Sequence, residues 1–153
     1  MDSTNSKKKG ARKKTPSPRR DGREAAVQFL YGHDIQGETE FSDELMDQFW
    51  ELRLAKPIAR EFAKELVQGV SANLTAIDSA IESSLENYSF SRLTNVERSI
   101  LRLGAFEILF TNETPHQVAI NEGIEIAKRL GNEDSPGFVN GILDRVFRNH
   151  NDT

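Results

Sequence analysis

The sequence predicts an all-α protein, a single helical domain behind a basic N-terminal arm, and three observations carry that reading. From about residue 25 to the end, apolar residues recur every three or four positions, the spacing that gathers them on one face of a helix. Helix-start signals stand ahead of these runs at Ser42-Asp43-Glu44, Pro57, Thr94 to Glu97, Pro115 and Ser135-Pro136. No stretch shows the strict alternation of a half-buried strand, and no internal repeat is present. With 153 residues, 37% of them hydrophobic, the chain has material for one compact core.

Residues 1–18 are rich in Ser, Thr, Lys, Gly and Pro and hold no large apolar side chain after Met1, so they are expected to be a disordered arm. Residues 19–150 form the domain. A first helix is expected from Gly22 to about Gln36, carried by Ala26, Phe29, Leu30 and Tyr31, with Arg19, Arg20 and Arg23 at its entrance. The Ser42 hydroxyl suits a free amide and the following acids suit the positive end of the dipole, which opens a short helix through Leu45, Met46, Phe49 and Trp50. Pro57 opens the next helix, where Ile58, Phe62, Leu66, Val70, Leu74, Ile77, Ile81 and Leu85 predict one long amphipathic rod bent near Gly69 to Ser71.

After a polar loop from Asn87 to Arg92, Thr94-Asn95-Val96-Glu97 matches a capping box, whose two ends satisfy each other's backbone amides. The helix it starts, Ile100 to Phe110, is apolar on nearly every side and should be the central one. Pro115 begins another helix with Val118, Ile120, Ile124, Ala127 and Leu130 facing inward, and Gly131 is placed to end it in a left-handed cap. Ser135 and Pro136 start the last helix, carried by Phe138, Val139, Ile142, Leu143, Val146 and Phe147. Asn121 and Asn140, polar among apolar neighbours, are expected to be buried and hydrogen-bonded.

The net charge of −4 hides an asymmetry. Residues 1–24 hold nine Lys or Arg against three acids, a net +6, and the other 129 residues hold 11 basic and 21 acidic, a net −10. A basic arm on an acidic body suits binding of a polyanion. The same charge suits a solubilising leader, and charge alone does not choose. There is no cysteine, no apolar run approaches the roughly 20 residues that span a bilayer, and the N-terminus lacks the apolar core of a secretory signal, so a soluble cytoplasmic protein is expected.

Catalysis finds no residue set. His33, His116 and His150 have no partners at metal-ligand or triad spacing, and no phosphate-binding glycine loop, nucleophile elbow or zinc motif occurs. The pairs Glu122 with Glu125 and Glu133 with Asp134 read as solvated helix faces on an acidic body. The expectation is a protein that is not an enzyme and needs no cofactor or metal. Arg19, Arg20 and Arg23 stand out instead, because cations at a helix N-terminus oppose its dipole. An external anion would offset that cost, and guanidinium groups, which fork onto phosphate oxygens and stack on unpaired bases, suit single-stranded RNA.

Two stretches resemble the NusB family of transcription antitermination factors. The first is Arg19-Arg20-x-x-Arg23-Glu24-x-Ala26-Val27-Gln28-x-Leu30-Tyr31. The second starts at Val96-Glu97-Arg98 with Leu101-Arg102, passes through Glu107, Pro115, Val118 to Glu122 and Ile124 to Lys128, and ends at Phe138-Val139-Asn140-Gly141-Ile142-Leu143-Asp144. The resemblance implies a bundle of about seven helices, pairing with NusE (a ribosomal small-subunit protein that doubles as a transcription factor), and binding to boxA RNA of nascent ribosomal transcripts within the RNA polymerase antitermination complex. By matching positions, Arg19, Arg20, Arg23, Asp134 and Phe138 would contact RNA, and Tyr31 and Glu97 would meet NusE. Two features depart from the family pattern: Asp21 interrupts the arginine run, and Pro136-Gly137 replaces the more usual polar or basic pair. Family members occur as monomers and as homodimers. The rivals are the RNA-binding front end of a ribosomal RNA cytosine methyltransferase, which needs an α/β cofactor domain and catalytic cysteines, and a helical adaptor without RNA affinity.

Overall fold

The computed structural model describes residues 17–37, 41–87 and 89–151. Seven α-helices run through them: α1 (Pro18–Ile35), α2 (Asp43–Leu52), α3 (Pro57–Ala72), α4 (Leu74–Ser84), α5 (Asn95–Phe110), α6 (His116–Leu130) and α7 (Ser135–Asn151), with a 3-10 turn at Phe90–Arg92 ahead of α5. Among the described residues there is no strand. The disorder expected of residues 1–18 lies outside the described residues, except that Ser17 and Pro18 open α1.

Helix α1 starts at Pro18, four residues ahead of the expected Gly22, because its cap is polar. The Ser17 hydroxyl accepts from the Arg20 amide at 3.1 Å, and Pro18 takes the first position, where a missing N–H costs nothing. Its inner face, Ala25, Ala26, Val27, Phe29 and Leu30, is buried. The short α2 closes over one end of that face, with Met46 buried and the Phe49 ring meeting Phe29 edge-on at 5.5 Å between centroids. Helix α5 is the central helix and packs against α1, α3, α4, α6 and α7. The α3–α5 crossing is close enough that a Cβ on Gly69 would stand 2.1 Å from the Phe106 ring.

Three expectations are corrected. The long rod after Pro57 is two helices, broken at Asn73, whose φ of −120° and ψ of 21° leave the helical region. The Asn73 side chain donates to the Gly69 carbonyl at 2.8 Å, competing with the backbone ladder, while its own carbonyl accepts from Ile77 to begin α4. The apolar period hides this break because Val70 and Ile77 on its two sides are both buried. Gly131 ends α6 in an extended conformation, φ −94° and ψ −168°, not a left-handed one. Its lack of a side chain serves close packing, since a Cβ there would stand 2.6 Å from that of Ser135. Asn121 and Asn140 are exposed. The buried stripes are Ala119, Ile120, Gly123, Ile126 and Ala127 on α6 and Val139, Ile142, Leu143 and Val146 on α7, and each asparagine falls one step outside its stripe.

Candidate nucleic-acid interface

The entrance of α1 is charged, and the fold gives its charges partners. Arg19 is exposed and lies over the Phe62 ring of α3, its guanidinium carbon 4.5 Å from the centroid. Arg20 reaches the other way, to α6, where its Nε and Nη2 donate to the two oxygens of Glu122 at 3.2 and 2.8 Å. That hydrogen bonding and the Glu122 charge raise the Arg20 pKa above its ordinary value. The Arg20 side chain stays 44% exposed and Glu122 only 13%, so Glu122 is not the solvated acid its sequence context suggested. Arg23 turns inward. At 5% exposure it donates through Nε and Nη2 to Glu107 at 2.9 and 3.0 Å, and the Thr114 hydroxyl donates to the same carboxylate at 2.9 Å.

Internal carboxylates therefore offset the dipole cost for which an external anion seemed necessary at Arg20 and Arg23. Arg23 belongs to the interior, because its side chain is only 6% exposed and its Nε and Nη2 edge is taken by Glu107. Asp21, which breaks the arginine run, is likewise engaged: both its oxygens accept from Arg53 at 2.9 and 3.2 Å, and Arg53 Nε also donates to Gln28 at 2.9 Å. Glu24 pairs with Arg129 of α6.

The far end of α1 meets the start of α5, which in turn holds the start of α7. Arg20 and Asp34 are 14 positions apart on α1, about 21 Å along its axis. Asp34 accepts from Asn95 at 2.7 Å and from Arg98, and Arg102 lies 3.4 Å away while forking onto Asp78 at 2.8 and 2.9 Å. Burial pushes the Asp34 carboxyl up, but these hydrogen bonds and the two guanidinium charges outweigh it and hold the pKa below the usual carboxylate value. Glu97 completes the capping box with Thr94 and also accepts from the Ser135 hydroxyl at 2.9 Å. Ser135 in turn accepts from the Asn132 amide at 3.1 Å, in the turn that holds the exposed Asp134. Phe138 is half-buried and packed against the core, and Tyr31 is 38% exposed. Of the residues expected to touch RNA and NusE, Arg23 is buried, and the others fall in two groups, Arg19 and Arg20 at one end of α1, and Tyr31, Glu97, Asp134 and Phe138 toward the other.

A model of the NusB family matches residues 20–148. The chain belongs to the NusB family. It is 43% identical over 134 residues to a transcription antitermination protein NusB of Desulfotalea psychrophila, covering 85% of this chain and 95% of that one, and 40% identical over 131 residues to the NusB of Sorangium cellulosum, covering 86% and 92%. Other matches are more local: the NusB of Clostridium tetani is 50% identical over 64 residues, which span 42% of either chain. Among solved structures, a NusB of T. maritima superposes with a TM-score of 0.73 at 39% identity, covering 89% of this chain and 93% of that one. A crystal structure of antitermination factors NusB and NusE in complex with dsRNA superposes at 0.77 and 32% identity, covering 86% of this chain and 97% of that one.

For a NusB-family protein, the residues that sequence reasoning missed are those that hold the site from behind. Glu107, Glu122, Asp34, Ser135 and Arg53 all act by reaching another helix, and no local pattern announces such a partner. One signal was legible: Glu107 is the single acid within the apolar Ile100–Phe110 run, and a carboxylate placed there must find a cation. Among the described residues of this NusB-family chain, no cluster of metal-ligating side chains occurs and no helix is long and apolar enough to cross a membrane.

Proposed function

We propose that this chain is a transcription antitermination factor that acts by binding, not catalysis, in the cytoplasm: paired with NusE it takes boxA-type single-stranded RNA of nascent ribosomal transcripts and helps RNA polymerase resist termination. The observation that carries this reading is the likeness, over nearly the whole of that chain, to a NusB solved with NusE and RNA. The site geometry supports it. Arg19 and Arg20 offer exposed guanidiniums at the head of α1, each anchored from behind by Phe62 or Glu122, so little side-chain freedom is lost when phosphate binds. Asp134 and Phe138 extend the RNA surface to the start of α7, while Tyr31 and Glu97 form the NusE surface. Arg23 supports the array from the core. The basic arm ahead of α1 adds sequence-independent affinity, and the folded unit runs from the Ser17 cap to Asn151.

Titrating the chain with a boxA-type RNA, with and without NusE and at two salt concentrations, tests the reading. Affinity should fall with salt as counterions compete for the phosphates, and NusE should tighten binding. Absence of binding in both arms at low salt overturns it.

A further inference from the structure

The seam between α1 and α6 carries two crossed ion pairs, Arg20 with Glu122 and Glu24 with Arg129. In each the cation keeps a large exposed surface, 44% of the Arg20 side chain and 39% of that of Arg129, while the acid lies deeper, at 13% and 23%. Arg20 spends two of its five N–H bonds on Glu122. Arg129 spends only its Nε–H, on Glu24, which leaves four on the terminal nitrogens without an acceptor among the described residues. The two sites share one line: Arg20 and Glu24 are one turn apart on α1, and Glu122 and Arg129 two turns apart on α6, about 10.5 Å along its axis. Beyond Arg129 the chain leaves α6 at Gly131 and passes the exposed Asp134 before α7 and Phe138.

We propose that Arg129 is a further phosphate-binding residue, midway on an RNA track that follows the α1–α6 seam from Arg20 to the Asp134–Phe138 end of α7, and that Glu24 is its positioning residue. The proposal rests on the RNA-binding reading above and joins Arg19 and Arg20 at the head of α1 to Asp134 and Phe138 at the start of α7, which that reading otherwise leaves unconnected. A cation in the last turn of α6 is also favoured by the helix dipole. That accounts for a positive residue at position 129, but not for its being held by a less exposed acid in line with Arg20. Other arginines of the body do not share the arrangement. Arg53, Arg98 and Arg102 are largely covered and each spread over more than one acceptor, and Arg148 pairs within its own helix with Asp144.

The test uses the full chain and a boxA-type single-stranded RNA at about 50 and 200 mM salt. Arg129→Ala should take about 0.7 from the slope of log affinity against log salt, which makes the affinity ratio between those two conditions about threefold smaller. Arg129→Lys should restore the slope, and Arg148→Ala, an exposed arginine away from the seam, should leave it unchanged. Glu24→Gln should keep the slope and weaken affinity by loosening the guanidinium. The melting temperature of Arg129→Ala should stay close to that of the unmodified chain, because an exposed pair contributes little to folding. An Arg129→Ala slope equal to the unmodified one overturns the proposal, as does an equal loss on Arg148→Ala. An unmodified chain that binds no RNA overturns the underlying reading instead, and this proposal with it.

Discussion

Two arginines of the same helix, three positions apart, make the same forked contact with a glutamate and end in opposite situations. Arg20 holds Glu122 at the surface with nearly half of its side chain in solvent, and Arg23 holds Glu107 at 5% exposure with Thr114 completing the carboxylate's shell. The difference is one of helical phase: position 20 faces the α6 seam, while position 23 turns toward the packed wall of α5. An exposed pair is screened and worth at most about 1 kcal/mol, so its guanidinium remains available to an outside anion. A buried pair has already shed its water, and removing one partner strands the other. Sharing a sequence cluster therefore does not give two residues the same task.

The largest effect expected from this contrast is on Glu107→Ala, which leaves Arg23 charged and buried without a partner. It should cost about 3–5 kcal/mol in denaturant unfolding, whereas Glu122→Ala should cost no more than about 1 kcal/mol. Equal losses would erase the distinction between the two pairs. Next in size, changing Arg19 and Arg20 together to Ala should flatten the salt slope of RNA binding by about 1.4, the share of two single-strand phosphate contacts. Folding should survive, so full RNA affinity with an unchanged slope removes the α1 entrance from the RNA surface.

The third test concerns acid. Because the folded pKa of Asp34 lies below its unfolded value, about 3.9 for a free aspartate, its stabilising contribution is complete above that value. The contribution is lost as pH falls through the folded pKa. Asp34→Asn should lower stability near neutrality and flatten the pH dependence at the acid end, measured by urea unfolding from about pH 6 to pH 2. A mutant with an acid limb as steep as that of the unmodified chain would contradict the ion-pair origin of the shift. The smallest stability effect is expected from Tyr31→Ala. With 38% of the residue exposed, it should unfold only slightly more easily while binding NusE more weakly, whereas a loss of roughly 3 kcal/mol would place Tyr31 in the core.

The outline of the fold was legible because its causes are local. The capping box at Thr94, the Ser42 cap and Pro57 satisfy or excuse amides within one turn, and they start helices where the sequence says they should. The apolar run from Ile100 marks the central helix because a segment apolar on nearly every side must be surrounded. Legibility failed where two local rules competed or where phase mattered. Asn73 breaks a continuous apolar period through one side-chain hydrogen bond, and Asn121 and Asn140 sit beside buried residues in sequence yet outside the stripe in space.

By itself, the sequence determined an all-helical domain, its main helix starts, a basic approach to α1 and the family whose motifs it carries, all properties set by neighbours within a turn or by composition. Only the tertiary structure decided what each charge does. Glu122, Glu107 and Arg129 lie 102, 84 and 105 positions from their α1 partners. Whether a guanidinium faces water or a buried carboxylate depends on how two helices are set against each other, and that setting is fixed by packing across the whole core.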